Sequence, residues 1–115
     1  MSTLEISVAA GEAGPVMTLS GEADLMSVAE LSDALAAQLS GGAQHLTVDV
    51  SELRFADSAS IRALVLAGRT LKDRGGALLL VRPQPVLARL LILMGVDHVI
   101  TVQGGSGAET EPEGT

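Results

Sequence analysis

The stretch that decides the fold is His45-Leu46-Thr47-Val48-Asp49-Val50-Ser51-Glu52-Leu53-Arg54-Phe55-Ala56-Asp57-Ser58. Residues 45–50 alternate polar and apolar side chains, the period of a half-buried strand. Leu53 and Phe55 continue an apolar contact after that strand. A helical pattern then runs from Ser58 to Arg74 and ends at Gly75-Gly76. The stretch therefore predicts one strand that leads into one helix.

The same periods recur on both sides of this stretch. Alternating or continuous apolar runs predict four more strands, at residues 4–8, 16–19, 77–81 and 99–102. Two more helices are predicted, one after a capping box of Ser27 and Glu30 and one opened by Pro85. The order is β-β-α-β-α-β-α-β, which predicts an α/β fold with a sheet packed against helices and right-handed crossovers.

The pattern also predicts which side chains are covered. Gly21 is expected to close the second strand, and residues 77–81 are expected to form a central strand covered on both faces. The buried side of the first helix is expected to comprise Val28, Leu31, Leu35 and Leu39. The inner stripe of the last helix is expected to comprise Val86, Leu87, Leu90, Leu91 and Met94.

Length and composition indicate a single small domain. The chain has 115 residues and no cysteine, which excludes disulfides, thiol catalysis and cysteine-ligated metals. The two histidines, His45 and His98, are far apart in sequence, so no metal site is expected. We expect the domain to span residues 1–102. Residues 103–115 are rich in Gly and Glu and lack periodicity, so we expect them to form a disordered tail.

The charge distribution favours a protein partner. A net charge of −7 argues against nucleic-acid binding. All seven basic residues lie between positions 54 and 97, whereas the first 53 residues carry eight acidic residues and no basic one. No apolar run reaches the roughly 20 residues that a membrane span needs. No signal peptide is recognisable, so the cytoplasm is the expected location, without membrane contact.

Most catalytic signatures are missing, and we do not expect an enzyme. The sequence has no Walker A motif and no nucleophile elbow. A receiver-like interpretation of Asp49 as a phosphate acceptor fails, because the acidic pair and the lysine that it needs are absent. Asp24, Asp49 and Asp57 could converge at one edge of the sheet, but scattered acids are more often caps, turns or solvated groups.

The junction at Asp57-Ser58 allows two interpretations. In the simpler one, Asp57 or Ser58 is only the N-cap of the helix. In the other, Ser58 presents a hydroxyl at the positive end of the helix dipole, where a phosphate would be tolerated. Such a phosphate would add about −1.5 to −2 charges and would prevent close docking of a partner.

The helix after Ser58 supports a docking role. Ile61, Leu64, Val65 and Gly68 share the predicted inner stripe, with Leu71 beside it. The row that should face away comprises Arg62, Leu66, Arg69 and Asp73. Leu66 would then be an exposed apolar residue between two arginines, although single exposed leucines are also common in proteins without a docking role.

Several segments together resemble one known family. The turn Gly21-Glu22-Ala23-Asp24-Leu25, the strand 46–53 and the junction Phe55-Ala56-Asp57-Ser58 are similar to the STAS domain of anti-sigma factor antagonists. The similarity continues through residues 75–81 and 86–91 and covers about residues 3–102. It implies a mixed sheet packed against helices and a non-catalytic role in partner switching.

The resemblance also implies a mechanism. An unphosphorylated family member binds an anti-sigma factor that is a serine kinase, which frees a sigma factor. The kinase, which supplies the ATP and magnesium, then phosphorylates the antagonist on a serine, and a phosphatase reverses this. Ser58 matches that serine, so this chain is expected to need no cofactor. The expected partner-binding residues are Asp24, Asp57, Ser58, Ala59, Ser60, Arg62 and Leu66.

Two features of the sequence keep alternatives open. The family commonly has Ser or Thr and then Gly after the modified serine, whereas this chain has Ala59-Ser60, so Ser60 offers a competing hydroxyl. No helix like the family's C-terminal one is recognisable in residues 103–115. The alternative function is a constitutive STAS adaptor subunit of a transport or sensory assembly, which would hold its partner without phosphorylation.

Overall fold

The computed structural model describes residues 3–104 and shows an α/β architecture with the predicted order of strands and helices. A short 3-10 turn separates the last helix from the last strand. The elements are β1 Leu4–Ala9, β2 Val16–Ala23, α1 Val28–Ser40, β3 His45–Ala56, α2 Ser58–Asp73, β4 Ala77–Val81, α3 Pro85–Leu93, the 3-10 turn Val96–His98 and β5 Thr101–Gln103.

Five strands form one mixed sheet in the order β1-β2-β3-β4-β5. β1 and β2 are antiparallel and form the predicted hairpin, while the remaining neighbours are parallel. Each parallel pair is joined by a helical crossover, as parallel pairing requires. The carboxyl ends of β2, β3, β4 and β5 therefore lie at the same edge of the sheet, and the N-terminus of α2 lies there too.

The core is aliphatic and lies between the sheet and the helices. Its fully buried side chains include Met17, Leu19, Leu31, Val48, Val50, Ile61, Leu71 and Leu80. Gly68 brings α2 close to Ile100, because a Cβ at this position would overlap the Ile100 side chain. On β4, Leu78 and Leu80 are buried but Leu79 and Val81 are only half-buried, so the prediction that both faces are covered is met only in part.

β2 and β3 both run further than the sequence predicted. Gly21 does not close β2, because the strand continues to Ala23. Gly21 has φ at +103°, and its backbone lies so close to Thr3 that a Cβ there would overlap the Thr3 carbonyl oxygen. β3 continues to Ala56 beside β2, with register shifts that leave Arg54 unpaired. This bulge interrupts the alternation. As a result Leu53 is buried but Phe55 is 50% exposed, which corrects the predicted apolar contact of Phe55.

α3 is covered less than its sequence predicted. Leu87 and Leu91 are buried as expected, but Val86 is 81% exposed and Met94 is 44% exposed. The buried side of this nine-residue helix is narrow: its fully buried residues are Leu87, Ala88 and Leu91. Gly95, with φ at +73°, ends the helix as predicted.

The last strand ends slightly beyond its predicted position. β5 covers residues 101–103 rather than 99–102, because the 3-10 turn occupies the preceding segment. Residues 105–115, which make up nearly all of the tail expected to be disordered, lie outside the described residues. Within the described part of the chain, no helix combines the length and the apolar character needed to cross a bilayer.

Candidate functional site

Asp57 caps α2 and connects it to the end of β2. Its carboxylate Oδ1 accepts a hydrogen bond from the Ser60 amide at 2.9 Å, the geometry of an N-cap. Its own amide donates to the Ala23 carbonyl at 3.0 Å. The cap is therefore Asp57, which settles the choice that the sequence left between Asp57 and Ser58. Ser58 becomes the first residue of the helix.

Ser58 is exposed, and its hydroxyl makes no hydrogen bond within residues 3–104. It stands at the N-terminus of a 16-residue helix. Amides of the first turn have no partner inside a helix, and the positive end of the helix dipole lies at the same place. The hydroxyl is accessible, and a phosphate attached to it would face favourable partial charges.

Ser60 lies only two residues further but occupies a different environment. Its side chain is 0% exposed, and its hydroxyl has no hydrogen-bond partner in the described structure. From the sequence, Ser60 is expected to be a partner-binding residue and a competing hydroxyl. The structure instead turns it inward, because the third residue of α2 packs towards the core. Ser60 therefore does not contribute to the surface.

The loop between β2 and α1 forms the other side of this edge. Ser27 Oγ accepts a hydrogen bond from the Asp24 amide at 3.0 Å and donates to the Asp24 carbonyl at 3.3 Å. The predicted capping box of Ser27 and Glu30 is therefore wrong. The Ser27 side chain makes no cap hydrogen bond to α1, and it is buried with its hydroxyl bonded to the preceding Asp24 backbone. Asp24 Oδ1 accepts from the Met26 amide at 3.0 Å, which closes the turn.

The closed turn exposes two apolar side chains that sequence reasoning missed. Leu25 is 74% exposed and Met26 is 77% exposed. They directly follow Asp24 in the chain. Ala23, the residue before Asp24, accepts a hydrogen bond from the Asp57 amide, which ties this turn to the start of α2. The only signal in the sequence was two apolar residues between Asp24 and the helix start, outside any helical period. Exposed apolar side chains beside an accessible serine are typical of a contact surface.

A groove of about 530 Å³ begins at Ser58 and runs along α2. We call it the α2 groove. Its far wall is the segment 94–99, which includes the 3-10 turn. The residues of α2 that line it include Ser58, Ala59, Arg62, Leu66 and Arg69. The predicted outward row is confirmed, since Arg62, Arg69 and Asp73 are exposed and Leu66 is 55% exposed.

Asp49 does not join the other two acids. It lies midway along β3, where it pairs with Arg82 at the end of β4. Partial burial raises the pKa of Asp49, but hydrogen bonds from Ser51 and the positive charge of Arg82 outweigh this and hold the pKa below its usual value. Asp24 and Asp57 instead accept backbone amides in a turn and a helix cap, which are the commoner roles that the sequence favoured for such acids. Within residues 3–104, no three potential metal ligands form a cluster.

A comparison with known protein families gives a match over most of the chain. The family model described as "Mlab, STAS domain" matches residues 6–102. No curated protein sequence matches the chain.

Solved structures show the same fold. An anti-sigma factor antagonist from Mycobacterium paratuberculosis has a TM-score of 0.77 and 21% identity, over 91% of this chain and 89% of that chain. The anti-sigma factor antagonist SpoIIAA in its unphosphorylated form has a TM-score of 0.74 and 18% identity, over 96% and 98%. SpoIIAA from Bacillus in its phosphorylated form has a TM-score of 0.69 and 18% identity, over 96% and 100%. These structures confirm the predicted fold, and the family model confirms the resemblance to the STAS domain.

Proposed function

The chain belongs to the STAS domain family, and from this premise we propose that it is an anti-sigma factor antagonist controlled by phosphorylation of Ser58. In its unmodified form it binds an anti-sigma factor that is also a serine kinase, and a sigma factor is released. The observation that carries the proposal is the exposed, unbonded Ser58 hydroxyl at the capped start of α2. Support also comes from the fold shared with SpoIIAA, which has been solved in both unphosphorylated and phosphorylated forms.

The surface around Ser58 suits a partner only while the serine is uncharged. Exposed apolar area is provided by Leu25, Met26 and Leu66. The same edge of the sheet as the Ser58 hydroxyl also carries Asp24 and Asp57. Phosphorylation would place about −1.5 to −2 additional charges on this surface. A docked partner would then have to bury a dianion for which it offers no matching cation, which is strongly unfavourable. The complex would therefore dissociate.

The chemistry takes place on this chain but is catalysed elsewhere. The kinase transfers the γ-phosphoryl group of ATP: the Oγ–P bond to Ser58 forms as the bond to ADP breaks, and the hydroxyl proton goes to a base on the kinase. A serine phosphatase restores the hydroxyl by hydrolysis of the same Oγ–P bond. This chain itself is proposed to be no enzyme, and it would act in the cytoplasm, where the kinase finds ATP.

A phosphorylation assay tests the site. The protein is incubated with its anti-sigma kinase and ATP, and mass spectrometry of the digested protein locates the phosphate. We expect phosphate on Ser58 and none on Ser60, because the Ser60 hydroxyl is buried. The Ser58→Ala variant is the control and should remain unmodified. Phosphate only on Ser60, or no phosphate at all, would contradict the proposal.

A pull-down with Ser58→Ala as bait tests the partner, because this variant cannot be switched off. Recovery of an anti-sigma kinase supports the proposal. Recovery of a transport or sensory assembly instead, with equal yields from Ser58→Ala and Ser58→Glu baits, would favour the constitutive adaptor. The Ser58→Glu bait should retain less kinase than the Ser58→Ala bait, because only glutamate introduces a negative charge.

A further inference from the structure

The α2 groove continues beyond the Ser58 edge for most of the length of α2. From Ser58 to Arg69 it follows about three helical turns, or about 16 Å. Its exposed apolar side chains are Leu66 on one wall, 55% exposed, and Met94 on the other, 44% exposed. A groove of this length and character is too long to be covered by contacts at Ser58 alone.

The charges of the groove have a single sign. Arg62 and Arg69 line it, and none of the described residues along its walls is acidic. Their guanidinium groups form no ion pair within residues 3–104.

Three other arginines already bond to groups of this chain. Arg54 lies 3.8 Å from Glu22, and Arg82 pairs with Asp49. Arg74 donates to the Leu39 carbonyl at 2.7 Å. Arg62 and Arg69 of the groove, like Arg89 on α3, form no ion pair within the described residues and are available for an acidic ligand.

The walls of the groove favour a helix as its occupant. They consist of α2 and the segment around the 3-10 turn, and no strand is among them. An added strand would need a free sheet edge for its backbone hydrogen bonds, whereas an amphipathic helix needs only an apolar groove with polar rims. The row Ser58, Arg62, Leu66 and Arg69 has the spacing of one helix face, which suits a partner helix of similar length.

Arg62 also links the groove to the switch. It lies four residues after Ser58 on α2, and both residues line the groove. Side chains at this spacing are neighbours on a helix. A phosphate on Ser58 would therefore come within reach of the Arg62 guanidinium, which forms strong, often bidentate bonds to phosphate.

We propose that the α2 groove binds an amphipathic helix with acidic residues on the anti-sigma kinase, and that phosphate on Ser58 takes Arg62 away from that helix. The inference rests on the proposed function and deepens it. Unmodified Arg62 pairs with an acidic side chain of the bound helix while Leu66 contacts its apolar face. After phosphorylation Arg62 pairs with the phosphate on Ser58 of its own chain. The kinase helix then loses its ion pair with Arg62 and dissociates from the groove.

Calorimetric titration with the anti-sigma kinase recovered in the pull-down tests the groove. Arg62→Gln and Arg69→Gln should each weaken binding about tenfold, as expected for a buried charged contact. Arg89→Gln is the matched control, because Arg89 is exposed on α3 and does not line the groove. It should change the dissociation constant by less than about twofold. Circular dichroism confirms that all three variants fold.

The outcomes separate the two proposals. If Ser58→Glu abolishes binding but Arg62→Gln and Arg69→Gln bind like Arg89→Gln, the groove is not used and only this inference fails. If the pull-down recovers no anti-sigma kinase, the proposed function fails and this inference with it. The switch itself is tested by the ratio of the affinities of the unmodified and phosphorylated forms for the kinase. This ratio should shrink in Arg62→Gln, because the variant has no guanidinium that the phosphate could withdraw from the bound helix.

Cross-linking identifies the occupant. A photoreactive p-benzoylphenylalanine in place of Leu66 should cross-link to a helix of the kinase that carries at least two acidic residues, mapped by mass spectrometry. A cross-link to a basic or non-helical segment of the kinase would overturn the proposal. So would a cross-link to a second copy of this chain, or a stable complex that gives no cross-link.

Discussion

At the C-terminal end of α2 the polar groups are bonded within the fold, whereas at its N-terminal end several face solvent. Arg74 Nη1 donates to the Leu39 carbonyl at 2.7 Å, and Gln44 Nε2 donates to the Arg74 carbonyl at 3.1 Å. The Gly76 amide donates to the Leu71 carbonyl at 2.8 Å. These bonds join α1, α2 and the strands that follow them, so this end secures the fold.

The N-terminal end offers its groups to a partner instead. The Ser58 hydroxyl is unbonded within the described residues, and Leu25 and Met26 are mostly exposed. Asp57 is the main link between this end and the sheet, through its cap and its bond to Ala23. The difference between the two ends separates stability from recognition along a single helix. Substitutions of groups that are bonded within the fold should change the free energy of unfolding, and substitutions of the exposed, unbonded groups at the N-terminal end should change binding.

The largest effect is expected from Gly76→Ala at the C-terminal end. A Cβ on Gly76 would overlap the Gln44 carbonyl oxygen, and neither backbone can move without breaking the bonds around Arg74. The free energy of unfolding should fall by about 3 kcal/mol or more. Urea denaturation measures this.

Gly75→Ala is the control for Gly76→Ala. Gly75 has φ at +84° but open space around it, so alanine there should cost only about 1 kcal/mol, from backbone strain. Equal losses in the two variants would contradict the idea that close packing at Gly76 holds this end together.

A second comparison uses two fully buried serines at the N-terminal end. Ser27→Ala removes the acceptor of the Asp24 amide and should destabilise the protein by about 1.5 kcal/mol. Ser60→Ala removes a hydroxyl that has no partner and should leave stability unchanged or raise it by up to about 1 kcal/mol. Thermal unfolding of both variants decides. Destabilisation by Ser60→Ala as large as that by Ser27→Ala would show that the Ser60 hydroxyl is bonded.

The cap at Asp57 should have a moderate effect. Asp57→Ala leaves the Ser60 amide without its acceptor and should cost about 1 kcal/mol of stability. Asp57→Asn keeps an oxygen in the same place and should cost only a few tenths of that, roughly 0.3 kcal/mol. Chemical denaturation of the two variants side by side measures the difference. A loss in Asp57→Asn as large as in Asp57→Ala would mean that the negative charge, and not the cap, is what matters.

The smallest effect concerns Asp49 and pH. The pKa of Asp49 lies below its usual value of 3.8, so its carboxylate stabilises the folded state above that pH, and this contribution is lost as the pH falls through the folded-state pKa. Because Arg82 is 61% exposed, the contribution should be only about 0.5 kcal/mol.

Urea denaturation of wild type and Asp49→Asn over a series of pH values isolates this contribution. The variant should be less stable near neutral pH, and the two proteins should converge as the pH falls through the lowered folded-state pKa of Asp49 and its carboxylate becomes protonated. A stability difference that stays constant across the series would rule out the ion pair as its source.

The order of elements was predictable because apolar periodicity reflects burial directly. The ends of β2 and β3 were not, because the bulge at Arg54 removes the alternation on which a strand prediction depends and turns Phe55 outward. Ser27 was misinterpreted for a related reason. A serine before a helix can bond forward to the helix or backward to the loop, and only the turn at Asp24 decides.

The candidate site was predictable to the same extent. The exposed row with Arg62 and Leu66 follows from helical spacing, which requires no knowledge of neighbouring elements. The contrast between Ser58 and Ser60 does not, since both are polar residues in the first turn of α2. Their environments depend on how α2 packs on the sheet, and that packing exposes Ser58 and buries Ser60.

Calorimetry with the phosphorylated protein tests the central claim most directly. The protein is fully phosphorylated on Ser58, and its affinity for the anti-sigma kinase is compared with that of the unmodified protein at the same salt concentration. We predict that phosphorylation weakens binding about a hundredfold or more, because the partner would have to bury a dianion and would lose its contact with Arg62. Equal affinities of the two forms would contradict the claim that the charge at position 58 controls association.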